Sequence, residues 1–546
     1  MNPTKTFIIA FIAILAVYIC GLPIDIMEID AAQYATISYE MFESGDYFQL
    51  YCRGYDYLDK PPLLFWVNQI FFYIFGVHDW SFKLANLIFI IIGIYSTYEL
   101  GKFLYGRYAG FLSAIILATT QAWFLISQDV KTDGILASTI IFSVLQWKLF
   151  TFDKKWSHLI LMAVGISLSM LTKGPIGIMI PIIVMGSELL VNKNWKMIFN
   201  WKYIIVLVII AAALSPMLYG LYQQYDMHPG KEVTGGQVVD SGIKFYFWTQ
   251  SFGRITGTSV WNNKSSVFYF LPEIAWAFLP WIVFLIQAII FAFADGFKKN
   301  VIPLAGFFLP LIALSLSHYK LSHYIFVCFP FMAMMVGNYL STNRVSLPSR
   351  LLTYLVQIVL FAGIIFLGYA FNISWGITFG IAITILLVLI GVYKKSPIKI
   401  FASTLVIGVG LNLFLNLFIY PSLLSYQASS MAGKEYNMRE PKKENPLIEI
   451  NTWSFGLEFY AGTKVSNYGK VEDFGMGEKG GTYWLHLSKQ AYEELTTTNL
   501  QILETIELKN YPVTRLKIEF LLPDKRGSTI SKTYLVKVIL PNNWKS

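Results

Sequence analysis

Long apolar runs, each close to the length of a bilayer-crossing helix, recur along the chain and alternate with short polar stretches. A helix rises ~1.5 Å per residue and the hydrocarbon layer is ~30 Å thick, so about 20 mainly apolar residues make one crossing. On that rule about thirteen spans are expected, at roughly 6–23, 80–101, 108–127, 130–151, 156–172, 175–192, 202–224, 272–294, 301–317, 321–341, 350–371, 375–394 and 399–420. The pattern is that of an α-helical polytopic membrane protein. After about residue 421 it changes to mixed polar and charged sequence, with shorter strand-like alternation.

Composition agrees. Of 546 residues, 55% are hydrophobic, 17% aromatic and 14% charged, with a mean hydropathy of +0.54, which excludes an ordinary soluble domain. Basic residues then test the span order, because cytoplasmic loops of membrane proteins collect Lys and Arg. Lys5, the Lys102/Arg107 pair, Lys148, Lys154 and Lys155 fall on alternate loops. So do Lys193, Lys196, Lys202, Lys298, Lys299, Arg344, Arg350, Lys394, Lys395 and Lys399. That side is expected to be cytoplasmic, with the N-terminus inside. The net charge of +9 then needs no nucleic-acid partner, since basic loops facing anionic membrane lipid account for most of it. The first run lacks a clear small-x-small cleavage site and is expected to be a retained span. Three cysteines, at 20, 52 and 328, imply neither a disulfide framework nor a cysteine metal site.

Three larger segments fall on the opposite face: residues 24–79, 225–271 and everything after about 421. In the first, residues 31–43 and 62–77 read as aromatic-rich helices lying at the membrane surface. The second is rich in Gly, Asn, Ser and aromatics and reads as a loop able to order around a ligand. In the third, a charged run from Lys434 to Glu444 reads as a linker. A small α/β domain is expected beyond it, with strands at 447–451, 482–487, 516–521 and 533–540 and a helix near 488–496. The division is therefore a membrane domain over 1–424 and an extracytoplasmic α/β domain over 425–546. No short repeat supports an inverted-repeat transporter.

Candidate chemistry clusters on the outer face. Asp25, Glu28 and Asp30 follow the first span, and Asp59-Lys60-Pro61-Pro62 lies downstream. A carboxylate at the lipid boundary can serve as general base or cation ligand, although such residues are as often solvated helix ends. The two prolines fix the backbone ahead of a helix, since Pro suits a first turn, and so would pin Asp59 and Lys60. A pinned lysine suits a phosphate as a point charge. Asp129-Val130-Lys131-Thr132-Asp133 opens the fourth span, and Leu171-Thr172-Lys173-Gly174-Pro175 joins the next two. Lys173 and Lys320 run against the charge rule. One misplaced lysine is usually a snorkelling side chain, whereas several basic groups around one acidic loop better fit a phosphorylated lipid. Arg254 is a further cation, or a surface anchor. His318 and His323 are five apart, which does not place them on one helix face, so a two-histidine metal site is not expected. Gly-rich phosphate loops, nucleophile elbows and His-Glu-x-x-His motifs are missing from the sequence, so nucleotide-driven chemistry has no support.

Taken in order, Glu28 to Ala35 with Ser44-Gly45-Asp46, Asp59 to Trp66, Leu171 to Gly177, and Lys320-Leu321-x-His323-Tyr324 resemble the polytopic glycosyltransferases of the GT-C type, among them the aminoarabinose transferase and protein O-mannosyltransferase relatives. The resemblance covers about 420 residues. It implies a GT-C fold and transfer of a sugar from a polyprenyl-phosphate donor to a lipid, glycan or protein acceptor on the outer face. Asp30, with Glu28 beside it, would be the catalytic carboxylate. Lys60, Arg254, Lys320 and Lys173 would hold the donor phosphate, and Tyr34, Asp59, Asp133, His323 and Tyr324 would line the substrate site. Relatives tend to carry Glu-Lys-Pro-Pro and a Glu-His pair that can contact metal, where this chain has Asp59 and Gln250-Ser251. A divalent metal enters through the resemblance alone and is not carried over, and no other cofactor is implied. Against single-sugar transfer stand a glycan polymerase or ligase, a polyprenyl-linked lipid transporter, and an inactive membrane portion bearing an assembly module. Charges gathered at one face rather than the midplane disfavour a transporter.

Overall fold

The computed structural model describes residues 3–233, 236–250, 253, 265–395 and 399–542. Among them, eight helices are long and apolar enough to cross a membrane, or nine if the bent pair Phe270–Ala277 and Ile282–Ala294 is one span. Four of the expected spans fall instead on shorter apolar helices, Ile8–Gly21, Arg107–Ala118, Ile176–Val191 and Trp375–Gly391. Hydropathy reads through breaks that the backbone makes. The expected 108–127 span, for example, is interrupted after Ala118, and Thr120 caps a separate helix, Gln121–Ile126, by accepting from the Trp123 N–H. At 272–294 the two helices meet at 111°, with Pro280 at the break, where its missing N–H leaves no helical bond to lose.

Burial separates the helices that carry the site from those that face lipid. The Thr132–Asp153 and Ser322–Ser341 segments are 72% and 89% buried in protein, against 22% for Leu347–Ala370. Polar groups at the ends of the first two are therefore held by protein rather than by hydrocarbon, where they would be costly. Small residues permit the close approach: a Cβ on Gly93 would overlap Ser138, and one on Gly337 would overlap Ser113.

Helices form at both places expected in the first outer segment, Asp30–Ser44 and Leu63–Phe75, the first of them mostly buried in protein, with a short hairpin, Tyr51–Cys52 against Tyr55–Asp56, between them. The 225–271 segment is more regular than its sequence implied. It forms a hairpin, Lys231–Val233 with Gln237–Val239, and a helical turn that starts at Gly242 and runs to Thr249.

Beyond residue 424 the first part of the charged run read as a linker, Lys434 to Arg439, belongs to a helix, Ala428–Arg439, whose Ala428, Ala432 and Tyr436 are buried at four-residue spacing, and the rest of the run connects it to the sheet. A five-stranded mixed sheet follows. Its order is Ser466–Tyr468, Leu447–Ile450, Gly481–Ser488, Ser531–Leu540 and Gln501–Asn510, with the first two pairings parallel and the last two antiparallel. The helix expected near 488–496 is Lys489–Thr497, started by the Ser488 hydroxyl accepting from Ala491 N–H. The strand expected at 516–521 does not form. Phe520 there sits in a short helical turn and stacks on Tyr511 at 3.9 Å, with the Arg526 guanidinium 5.1 Å from its ring.

This region is bound tightly to the first outer segment. Arg53 reaches into the sheet and pairs with Glu449 at 2.5 Å, both side chains almost wholly buried. The Tyr460 hydroxyl accepts from Ile26 N–H at 2.7 Å and donates to Asp79 at 2.6 Å. The Thr36 hydroxyl donates to the Phe455 carbonyl at 2.5 Å.

Candidate active site

Helix ends converge at the face where the outer segments lie. Asp30 is in the first turn of Asp30–Ser44 and Asp133 in the first turn of Thr132–Asp153, while Lys173 closes Trp156–Lys173. Each charge suits its helix, since the N-terminal dipole favours an anion and the C-terminal dipole a cation.

Asp30 Oδ2 accepts from Lys131 Nζ at 2.9 Å, and the same ammonium stands 3.4 Å from Asp129 Oδ2. Burial by itself would raise the Asp30 carboxyl, but the Lys131 ammonium, helped by His323 and Lys60, outweighs it and sets Asp30 below the usual carboxylate range. Asp129 goes the other way because burial dominates over the same ammonium. Burial would lower Lys131, and the Asp129 and Asp30 carboxylates more than reverse it. Asp30 and Lys131 are therefore an ion pair at neutral pH.

Lys173 donates to Asp133 Oδ1 at 2.5 Å, its ammonium lies 3.8 Å from the centre of the Tyr324 ring, and His323 Nε2 is 3.6 Å from Asp133 Oδ2. The local sequence explains the placement. Gly174 turns the chain at φ +80, Pro175 precedes the next helix, and Gly177 packs so closely on the Ser169 backbone that a Cβ would overlap it. The sharp reversal leaves Lys173 at the corner. Lys60 pairs with its neighbour Asp59, whose carbonyl in turn accepts from the Gln250 carboxamide. Tyr34 is fully buried; burial, then the Asp30, Asp59 and Asp133 carboxylates, push its hydroxyl well up, so it remains a donor.

A cleft with about 1010 Å³ of empty space, part of it open to solvent, runs from these groups. Lys60, Asp133, Lys173, Gln250 and Tyr324 line its polar end, and Ile176, Met179, Ile180, Ile183, Pro310, Ala313, Leu314 and Val327 line the rest. A second, narrow cleft shares Lys60 and Gln250 and is walled by Phe48, Leu50, Tyr57, Pro61, Pro62 and Tyr246. Lys60 thus stands between two spaces. Cations closing one end of an apolar channel can hold an anionic head group whose tail is hydrocarbon.

Asp30, Tyr34, Asp59, Lys60, Asp133, Lys173, His323 and Tyr324 are brought into one neighbourhood. Glu28 is placed differently: one carboxylate oxygen accepts from Ser454 Oγ at 2.5 Å and Gly456 N–H at 3.1 Å, tying the first outer segment to the C-terminal region. Burial raises this carboxyl above its ordinary range. Lys320 donates to the Ser265 carbonyl at 3.0 Å, while its neighbours Ser317 and Tyr319 reach the large cleft. Arg254 lies outside the described residues. Lys131 and Gln250 were absent from the sequence-derived site. A lysine flanked by Asp129 and Asp133 at the outer end of a span is the available signal for Lys131; for Gln250 it is the place, in the resemblance, where relatives carry a Glu-His pair. Among the described residues, no three His, Cys, Asp or Glu side chains gather as a metal-holding group.

The family described as dolichyl-phosphate-mannose-protein mannosyltransferase matches residues 59–219. An uncharacterized protein of Aquifex aeolicus is 26% identical over 336 residues, 60% of this chain and 71% of that one. The undecaprenyl phosphate-alpha-4-amino-4-deoxy-L-arabinose arabinosyl transferase of Edwardsiella ictaluri is 22% identical over 334 residues, 59% of this chain and 57% of that enzyme. The chain thus spans little more than half the length of that transferase. The crystal structure of ArnT from Cupriavidus metallidurans bound to undecaprenyl phosphate superposes with a TM-score of 0.74 over 98% of both chains, at 18% identity. The two share a fold.

Proposed function

We propose that this chain, which belongs to the GT-C glycosyltransferases of the aminoarabinose transferase and protein mannosyltransferase family, moves one sugar from a polyprenyl-phosphate donor to an envelope acceptor at the periplasmic face of a bacterial inner membrane. The observation that carries this reading is the cleft with Lys60 and Lys173 at its polar end and an apolar wall along its length. The isoprenoid would lie along Ile176, Ile180, Leu314 and Val327, with the phosphate at the two ammonium groups.

The chemistry asks little of such a site. A phosphate ester leaves already charged, so the protein must stabilise the departing oxygens and accept the nucleophile's proton. Lys60 and Lys173 are paired with Asp59 and Asp133, yet an ammonium has three donors and can serve a phosphate alongside a carboxylate. In the proposed step the acceptor oxygen attacks the anomeric carbon and its proton passes to Asp30. The bond from that carbon to the phosphate oxygen breaks, its electron pair leaves with the polyprenyl phosphate, and the anomeric centre inverts. Glu28, bound to Ser454 and Gly456, acts by fixing the backbone two residues before Asp30. The C-terminal region, 425–546, is read as periplasmic because it packs on the first outer segment, opposite the basic loops.

Mass spectrometry of envelope lipids, glycans and proteins tests this, in cells with the protein, cells without it, and cells carrying Asp30→Asn. A sugar-sized mass loss common to the deletion and the variant is expected, and it identifies the acceptor. Accumulation of an entire unpolymerised or unligated glycan would instead establish a polymerase, ligase or transporter.

A further inference from the structure

Among the described residues Lys131 is the hydrogen-bond donor to Asp30, and it comes from a turn whose backbone is held from both sides. Asp129 N–H bonds the Leu125 carbonyl at 2.8 Å, and Gly134 N–H bonds the Lys131 carbonyl at 3.2 Å. The Lys131 side chain is 15% exposed and spans two carboxylates that face it from different elements. Asp129 Oδ1 has no hydrogen-bond partner among the described residues, so Lys131 meets this carboxylate through Oδ2.

We propose that Lys131 is a positioning residue of the transfer step: by occupying Asp30 Oδ2 it fixes the orientation of that carboxylate and keeps it ionised, which leaves Oδ1 to take the proton. The inference rests on Asp30 being the proton acceptor. The second carboxylate gives the arrangement its balance. One ammonium shared between Asp30 and Asp129 pins Asp30 without neutralising both acids, so Asp30 retains more basicity than in an isolated pair. The other charged or titratable groups facing Asp30 among the described residues are Lys60 and Tyr57 from the first outer segment, His323 from Ser322–Cys328 and Tyr34 on its own helix. None of them is itself altered in the Lys131 variants.

The test adds purified full-length protein to membranes from a deletion strain, whose own lipids supply donor and acceptor, and follows the initial rate of sugar transfer against pH. A carboxylate that loses an opposite charge at hydrogen-bond distance rises by about one unit or more. The acid limb of Lys131→Met and of Lys131→Gln is therefore expected to move up by about that amount, with Lys131→Arg staying near wild type. A polyprenyl-linked phosphodiester does not titrate in this range, so the donor contributes no shift. An acid limb at the wild-type position in either neutral variant overturns the proposal. So does failure of both neutral variants to fold while Lys131→Arg folds, since that outcome makes Lys131 a structural prop. Normal turnover by Asp30→Asn is a separate result: it removes Asp30 from the mechanism, and the Lys131 proposal with it.

Discussion

Lys173 donates to Asp133 across 2.5 Å, joining the last residue of one helix to the first turn of another at the mouth of the large cleft. The lysine side chain is 12% exposed and the aspartate 2%. Removing one member takes from the other, buried charge its opposite charge at hydrogen-bond distance. Asp133→Asn is therefore expected to cost about 3 kcal/mol, toward the low end for a broken buried pair because Lys173 keeps some solvent. Removing both charges with Lys173→Met and Asp133→Leu should recover most of that stability and none of the turnover. Thermal unfolding and transfer rate, measured on the same preparations, check the separation. A double variant that transfers sugar at the wild-type rate would falsify a role for the pair in catalysis.

Lys60 stands between the two clefts, which gives it a task that Lys173 does not share. Lys60→Ala is expected to weaken binding of undecaprenyl phosphate about 10- to 100-fold, the equivalent of one charge-assisted hydrogen bond at ~1.5–3 kcal/mol, and to lower turnover in parallel. Asp30→Asn should leave that binding within a few fold of wild type while abolishing turnover. Titration of the purified variants with undecaprenyl phosphate separates the two. Equal losses of affinity would place Asp30 in the phosphate site.

Much of the site was readable because a membrane chain has few charges to spend. Asp30, Lys60, Asp133 and Lys173 stand at the outer ends of apolar runs, where charge is affordable, and the charge rule marked Lys173 as out of place. What stayed hidden depended on partners far away in the sequence. Glu28 and Asp30 are two residues apart and chemically alike, and their surroundings diverge because Ser454 and Gly456 bind Glu28 while Lys131 binds Asp30. The segment Leu516–Leu521 alternates like a strand, yet Phe520 is drawn onto Tyr511 and the Arg526 guanidinium. Such packing overrides β-propensity. The strand at Gln501–Asn510 was missed for the opposite reason: it is paired with Ser531–Leu540 but remains largely exposed at the sheet edge, so its pattern is mostly polar. In Ala428–Arg439 the density of charge hid the four-residue spacing of Ala428, Ala432 and Tyr436.

Arg53 carries the strongest link between the first outer segment and the C-terminal sheet. It pairs with Glu449, donates to the Ser454 carbonyl at 2.9 Å, and its guanidinium lies 4.3 Å from the centre of the Trp453 ring. Arg53→Met would take the guanidinium from the buried Glu449, which keeps His486 at 3.5 Å and the Thr452 hydroxyl at 2.9 Å, and a loss of about 3–5 kcal/mol is expected. The consequence should reach the active site, because the segment bearing Asp30 is held by the same region through Glu28 and Tyr460. Limited proteolysis of the full-length variant should cut after residue 424 faster than wild type, with transfer reduced in proportion. Unchanged proteolysis would show that the other contacts suffice.

The same interface gives a pH dependence whose sign is fixed by Glu458. Burial first, and then the Glu40 carboxylate, push Glu458 from the ordinary glutamate range up to about 8. Its Oε1 accepts from Val465 N–H at 2.9 Å, a bond that a protonated carboxyl can keep. A carboxyl raised in the folded state holds its proton where the unfolded chain has released it, so folding binds protons between the unfolded value near 4.5 and about 8. Stability therefore falls as pH rises through that window and levels off above it. Glu458→Gln keeps the acceptor for Val465 and removes the titration. Its unfolding temperature should match wild type near pH 5 and exceed it near pH 8, with a flatter slope between. Measuring both proteins in one lipid nanodisc across this range cancels the titrating groups that do not interact with Glu458. Parallel slopes would mean that Glu458 ionises normally and that the Glu40–Glu458 contact is relieved by solvent.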